Sequence, residues 1–166
     1  MPHPLDGHLA VILATPPLTT SGERTLARVR MVSELMGVSR VSICNLLDVA
    51  TNDVREVATV GNSAAPWLAS RPAILEALGD ADDVLLAWGS EPTGPARNHQ
   101  REQVAWVMNL IASQRTEAWA VGAQPRHPSR WQRYTSRAHA GMDFSSALQL
   151  SLGRLPPGIK LDKPRA

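Results

Sequence analysis

The chain alternates short, continuous apolar runs with longer segments in which apolar residues recur every three or four positions. Continuous short runs are typical of strands buried on both faces, and recurrence at that spacing is typical of amphipathic helices. The predicted strands cover residues 9–13, 40–47, 84–88 and 117–121, and the predicted helices cover residues 22–36, 72–78 and 100–113. This alternation predicts an α/β fold with three layers (α/β/α) around a central, four-stranded parallel sheet.

The segments between these elements carry glycine, proline and other turn residues. Residues 48–61 are expected to form a long excursion, and residues 124–129 a proline-rich loop. No internal repeat and no second domain are evident. We therefore expect one domain over residues 1–152, followed by an irregular C-terminal tail over residues 153–166, which contains three prolines.

Composition narrows the class of protein. A chain of 166 residues that is 43% hydrophobic and 19% charged is not a disordered chain. No apolar run approaches the roughly 18 residues that span a membrane, and residues 1–8 do not resemble a signal peptide. Cys44 is the only cysteine, and the histidines lack metal-ligand spacing. We expect a cytoplasmic monomer with no metal, no other cofactor and no membrane partner.

The basic residues are unevenly placed along the chain. The formal net charge is only +2, yet residues 118–140 hold Arg126, Arg130, Arg133 and Arg137 and no acidic residue. Such a block suggests a polyanionic partner such as nucleic acid. An ordinary solvated face is the alternative interpretation.

Polar residues follow each predicted strand. In chain order they are Thr15, then Asn45 and Asp48, then Ser90, and then His127 and Ser129. Because ligands of parallel α/β sheets bind beyond the carboxyl ends of the strands, these side chains are expected to converge at one edge of the sheet.

At these positions the chain resembles the uracil-DNA glycosylase superfamily. Residues 11–18 (VILATPPL) are similar to a strand that runs into the Gly-Gln-Asp-Pro-Tyr loop of that superfamily, and residues 43–47 (ICNLL) are similar to the strand whose asparagine reads the base. Residues 85–90 (LLAWGS) and 127–129 (HPS) resemble its Leu-Leu-Trp-Gly-Ser and His-Pro-Ser motifs. Closer still is a bacterial branch of unknown function with Asn-Pro-Ser-Thr-Ala, Asn-Leu, Ala-Trp-Gly and Pro-Arg-His-Pro motifs.

The resemblance implies an enzyme that hydrolyses an N-glycosidic bond in DNA and leaves an abasic site. In this interpretation His127 stabilises the departing base and Asn45 reads the flipped-out base. Trp131 would fill the vacated space in the duplex. The base site would also include Thr15, Pro16, Leu18 and Trp88, and the DNA contacts would come from Ser129, Arg126, Arg130, Arg133 and Arg137.

Two departures from the superfamily change the expected substrate. Pro16 stands where the superfamily has a water-activating aspartate, and Leu18 stands where a tyrosine excludes 5-substituted bases. We therefore expect a modified pyrimidine, for example glucosylated hydroxymethylcytosine in phage DNA, which would place the protein in antiviral defence. Asp48 is the favoured residue to position water. Thr15, Thr19, Glu23 and bulk water are the alternatives.

The sequence also leaves other functions and roles open. The chain could instead act on free nucleosides or nucleotides, or it could bind nucleic acid without catalysis. Several of the chosen residues also have structural interpretations: a turn for His127, Asn45 and Asp48, and core packing for Trp88 and Trp131.

Overall fold

A computed structural model describes residues 7–17, 22–159 and 161 of the chain. The strands are β1 (His8–Leu13), β2 (Arg40–Asn45), β3 (Asp83–Leu86), β4 (Glu117–Val121) and β5 (Leu152–Arg154). The helices are α1 (Gly22–Met36), α2 (Val54–Val60), α3 (Ala64–Ala69), α4 (Arg71–Leu78), α5 (Pro95–Gln114), α6 (Pro128–Ala138) and α7 (Phe144–Ser151). None of the helices in these ranges is long and apolar enough to cross a membrane.

The strands form one mixed sheet in the order β2-β1-β3-β4-β5. The first four strands are parallel to their neighbours, and β5 pairs antiparallel with β4. The expectation of a four-stranded, wholly parallel sheet is therefore corrected. The fifth strand was missed because it has only three residues, with Gly153 at its centre, so it shows no periodicity.

Helices cover both faces of the sheet, as the α/β prediction requires. On one face, Leu9 and Val11 of β1 pack with residues of α1, α6 and α7, including Val29 and Leu148. On the other face, Ala10 and Ile12 belong to a second cluster, which contains residues of α2, α3, α4 and α5. Because successive side chains of a strand alternate between faces, β1 contributes to both cores.

Several helices differ from the sequence prediction. The bounds of α1 and β4 agree with it, but α5 starts at Pro95 rather than at residue 100 because proline is well tolerated in the first turn of a helix. The predicted excursion over residues 48–61 contains α2, whose N-terminus is capped by the Asp53 carboxylate. The predicted loop over residues 124–129 ends early because α6 begins at Pro128.

The topology creates a crevice at one end of the sheet. β1 leads to α1 on one face, whereas its neighbour β3 leads to α5 on the opposite face. Loops that diverge in this way leave an opening beyond the carboxyl ends of the two strands, where ligands of such folds bind. The segments that follow β1 and β3 therefore frame the candidate site.

Trp131 anchors α6 to the sheet. Its side chain is 0% exposed, packs in the core between the sheet and α1, α6 and α7, and donates from Nε1 to the carbonyl of Arg126 at 2.9 Å. The expectation that Trp131 inserts into a DNA duplex is therefore wrong, since the indole would have to leave the core first.

We expect Trp131→Ala to lower the free energy of unfolding by about 3–5 kcal/mol, the usual cost of removing a large aromatic side chain from a core. Chemical denaturation followed by circular dichroism measures this loss. Arg133→Ala, on the exposed side of the same helix, is the matched control and should change stability by about 0.5 kcal/mol or less. Equal stabilities of the two variants would contradict the buried placement of the indole.

Candidate functional site

His127 lies immediately before α6, against the segment that follows β3. The backbone N–H of Gly89 donates to the carbonyl of Pro125 at 2.7 Å. Gly89 has φ +76°, and a Cβ atom built on it would lie 2.9 Å from the Cβ of His127. Only glycine accepts both the left-handed conformation and this close approach. The contact fixes His127 beside the crevice.

The hydrogen bonds of His127 determine its tautomer. The backbone N–H of Ser129 donates to His127 Nδ1 at 3.1 Å, and Ser129 Oγ lies 2.8 Å from the same atom. A backbone N–H can only donate, so Nδ1 carries a lone pair. In the neutral ring the hydrogen is therefore on Nε2, which becomes a hydrogen-bond donor.

The surroundings of His127 favour the neutral ring. Burial lowers its pKa, and the positive charges of Arg28 and Arg130 lower it further. Arg28 is held in place because its Nη1 donates to the carbonyl of Pro128 at 2.7 Å. The sequence analysis did not identify Arg28, because nothing local in the sequence connects α1 with α6.

Arg126 supports the turn that precedes His127. Its Nη1 donates to the carbonyls of Val121 and Gly122 at 2.9 and 2.8 Å, and its guanidinium stacks 3.9 Å from the centroid of the Tyr134 ring. These contacts give Arg126 a structural role that the sequence analysis did not predict. Its expected contact with DNA phosphates stays a prediction.

One side of α6 forms a basic surface. Arg130, Arg133 and Arg137 are exposed, and their spacing of three and four residues places them on one face of the helix. Within the described part of the chain, none of the three forms an ion pair with an acidic side chain. We call these residues the arginine face. Ser129 lies exposed beside it, in the first turn of α6.

The other half of the crevice follows β1 and β2. Thr15 Oγ1 lies 2.6 Å from Thr51 Oγ1, and the carbonyl of Pro16 accepts from the Thr51 N–H at 3.0 Å. Asn45 ends β2, and its buried Oδ1 has no hydrogen-bond partner among the described residues. A buried amide without a partner is costly, so this atom marks a position where a ligand can bind.

Asp48 is exposed beyond β2, and its environment differs from that of His127. Its N–H donates to Ser70 Oγ at 2.8 Å. Burial and, secondarily, the Asp48 charge raise the pKa of Cys44 to about 12. No described contact links Asp48 to Thr15, Asn45 or His127, so its role in positioning water stays a prediction.

Among the alternative residues for positioning water, Glu23 is exposed in the first turn of α1. Thr19, and likewise the base-site residue Leu18, lie outside the described residues.

A groove of about 1480 Å³ connects His127 with α5. Residues that line it include Trp88, Arg101, Met108, Arg130 and Ile159. Trp88 is 5% exposed, so it belongs to the core and also forms part of the groove wall. The volume exceeds the roughly 300–1000 Å³ of a typical small-molecule pocket, which suits an extended ligand. Ile159 shows that the predicted irregular tail contributes to this groove.

The described residues contain no group of three or more His, Cys, Asp or Glu side chains that could hold a metal ion. The groove instead contains an internal ion pair, in which Arg101 Nε and Nη2 donate to the two carboxylate oxygens of Glu91 at 2.9 Å each. The candidate site is therefore built from hydrogen-bonding and cationic side chains.

Comparison with protein-family models matches residues 10–129 to a family described as "Protein of unknown function (DUF1643)". The chain belongs to this family. Comparisons with curated proteins and with solved structures give no match. The matched residues of this DUF1643 member include Thr15, Asn45 and His127. Arg130, Arg133 and Arg137 lie beyond the matched region.

We expect Arg28→Gln to raise the pKa of His127, because the variant removes one of the two cations that oppose protonation of the ring. Titration of the His127 Cε1–H resonance by NMR measures this change. Arg24→Gln, one turn earlier in α1 and exposed, is the matched control and should leave the His127 pKa unchanged. The same pKa in all three proteins would show that the charge of Arg28 does not contribute to it.

Proposed function

We propose that the protein is a DNA glycosylase that hydrolyses the N-glycosidic bond of a modified, 5-substituted pyrimidine and leaves an abasic site. The observation that carries the proposal is the hydrogen bond that His127 Nδ1 accepts from the Ser129 N–H, which leaves Nε2 as the donor of the neutral ring in a residue that lines the groove. The resemblance of the strand-end motifs to the uracil-DNA glycosylase superfamily supports the same chemistry.

The reaction needs a donor where charge develops. When the bond between the base and C1′ breaks, its electron pair leaves with the base and the sugar becomes positively charged. A hydrogen bond from His127 Nε2 to a base oxygen stabilises that anion. Water then adds to C1′ and loses a proton, which balances the protonation of the departed base.

The arginine face supports DNA as the substrate. Its three exposed guanidiniums lie on the helix that begins directly after His127, and Arg130 also lines the groove. Phosphates on either side of a flipped-out nucleotide would contact such a surface. Because Trp131 is buried, the space left in the duplex is not filled by that residue, and the flipped state depends on the groove and the phosphate contacts.

The preference for a modified base rests on Pro16 and Leu18. Pro16 lacks the carboxylate that activates water in the superfamily, so ordinary uracil excision is disfavoured. Leu18 lacks the aromatic ring that excludes 5-substituted bases, so a base with a 5-substituent can enter more easily. The wide groove is compatible with a bulky group such as the glucose of glucosylated hydroxymethylcytosine. A role in phage defence follows from that substrate.

A second function, nucleic-acid binding without catalysis, is favoured by two observations. Pro16 cannot activate water, and Asp48 makes no described contact with His127. Measurements of base release and of DNA affinity separate the two functions, because the binding module keeps its DNA affinity and releases no base.

We expect the protein to form abasic sites in phage DNA that carries glucosylated hydroxymethylcytosine, and not in unmodified or uracil-containing DNA. Counting with an aldehyde-reactive probe measures the product. His127→Ala should lower the rate about 10²–10³-fold, the usual effect of removing one donor to a developing anion. His99→Ala, which changes a histidine that is not among the groove-lining residues, is the control. Absence of abasic sites in every DNA would refute the glycosylase function. The remaining functions would then be hydrolysis of free nucleosides and nucleic-acid binding without catalysis.

We expect the double variant Arg130→Gln/Arg133→Gln to weaken duplex binding and to reduce the dependence of log K on log salt by roughly two, about 0.9 for each phosphate that is no longer neutralised. Fluorescence anisotropy at several salt concentrations measures both quantities. Arg55→Gln on α2, an exposed arginine on the opposite face of the sheet, should change neither. Unchanged affinity in the double variant would show that DNA does not bind the arginine face.

A further inference from the structure

A second, smaller cavity lies at the opposite end of the sheet from His127. It has a volume of about 410 Å³, and the residues that line it come from α1, α7, β3, β4 and β5. Among them, Met36 is the last residue of α1, Asp83 the first of β3 and Arg154 the last of β5. We call it the distal cavity. Its volume lies within the roughly 300–1000 Å³ of a small-molecule pocket, so it suits one small ligand.

Two opposite charges contact the same indole ring in the distal cavity. Trp119 Nε1 donates to Asp83 Oδ1 at 2.8 Å, and Arg154 Cζ lies 5.2 Å from the centroid of the Trp119 ring. Within the described ranges, Asp83 and Arg154 form no ion pair with each other or with any other side chain. The distal cavity therefore contains one negative and one positive group, and each can accept a partner of opposite charge.

The end of α1 adds to the negative side of this charge pattern. The last carbonyls of a helix carry a partial negative charge, which a nearby cation stabilises. α1 has no basic residue in its last turn, and Met36, at its end, lines the distal cavity. A cationic group of a ligand is attracted by Asp83 and by the end of α1, whereas an anionic group is attracted by Arg154. A ligand with both charges satisfies both sides.

We propose that the distal cavity binds a free α-amino acid with an apolar side chain. Its ammonium group donates to the second carboxylate oxygen of Asp83, since Oδ1 already accepts from Trp119. Its carboxylate accepts from the Arg154 guanidinium, and both contacts are charge-assisted hydrogen bonds. Its side chain packs against Trp119, Leu35 and Leu152, which line the same cavity. The proposal does not depend on the glycosylase function, because the two sites lie at opposite ends of the sheet.

A titration of the ¹⁵N-labelled protein with L-leucine tests the site through the indole N–H resonance of Trp119, which is identified by its loss in Trp119→Phe. We expect a saturable shift of this resonance. N-acetyl-L-leucine lacks the ammonium charge and L-leucine amide lacks the carboxylate. At about pH 6, where the free amines are charged, each should bind roughly tenfold more weakly than L-leucine. No saturable shift with L-leucine, or equal affinities for the three compounds, overturns the proposal.

Two variants test the charged groups separately. Asp83→Asn keeps an acceptor for Trp119 Nε1 but removes the charge, and Arg154→Gln removes the cation. Each should weaken L-leucine binding about tenfold in isothermal titration calorimetry, with the thermal midpoint as a check on folding. Glu117→Gln, at the exposed register partner of Asp83, and Arg55→Gln on α2 are the controls outside the cavity and should keep the affinity. Unchanged affinity in Asp83→Asn and Arg154→Gln would overturn the assignment of the site.

Discussion

The arrangement of the site depends on β1. This strand is buried on both faces, pairs with β2 on one side and with β3 on the other, and contributes side chains to both cores. Because the chain leaves β1 and β3 toward opposite faces, their carboxyl ends cannot be covered by the same helix. Every residue of the candidate functional site lies at this uncovered end or on the helices that border it. β1 thus contributes to the hydrophobic core through its buried side chains and to the crevice through its pairing with β3.

The chemical state of His127 depends on several parts of the chain. Ser129 fixes the tautomer through the start of α6, Gly89 allows the close approach of the segment after β3, and Arg28 adds a charge from α1. None of these groups lies on the strand that leads to the histidine. A neutral, donating imidazole is therefore a property of the assembled domain, and a short peptide with the His-Pro-Ser motif would not reproduce it.

The sequence predicted the elements whose signals are local and long. α1 and β4 were located correctly because each has a continuous pattern that ends at a glycine. The glycine after α1 is Gly37, and the glycine after β4 is Gly122. α2 and α3 are too short for a recognisable period, and β5 depends on a pairing with β4 that no local pattern encodes.

The residues of the candidate site that follow predicted strands could be identified from the sequence. They include His127 and Asn45. The error at Trp131 came from aligning a motif without considering helical phase. Trp131 and Thr135 are four residues apart and both buried, whereas Arg130 and Arg133 are exposed. That pattern was available in the sequence. The contribution of Arg28 was not, since it depends on a contact between distant segments.

The short strand β5 has a consequence for how copies of the molecule meet in solution. A parallel sheet that ended at β4 would present a row of unpaired backbone N–H and C=O groups, which is a template for pairing with another chain. β5 occupies these groups through antiparallel pairing over only three residues, and a strand this short offers little backbone for a neighbour to extend. β5 therefore leaves little of this sheet edge open to pairing with a second copy.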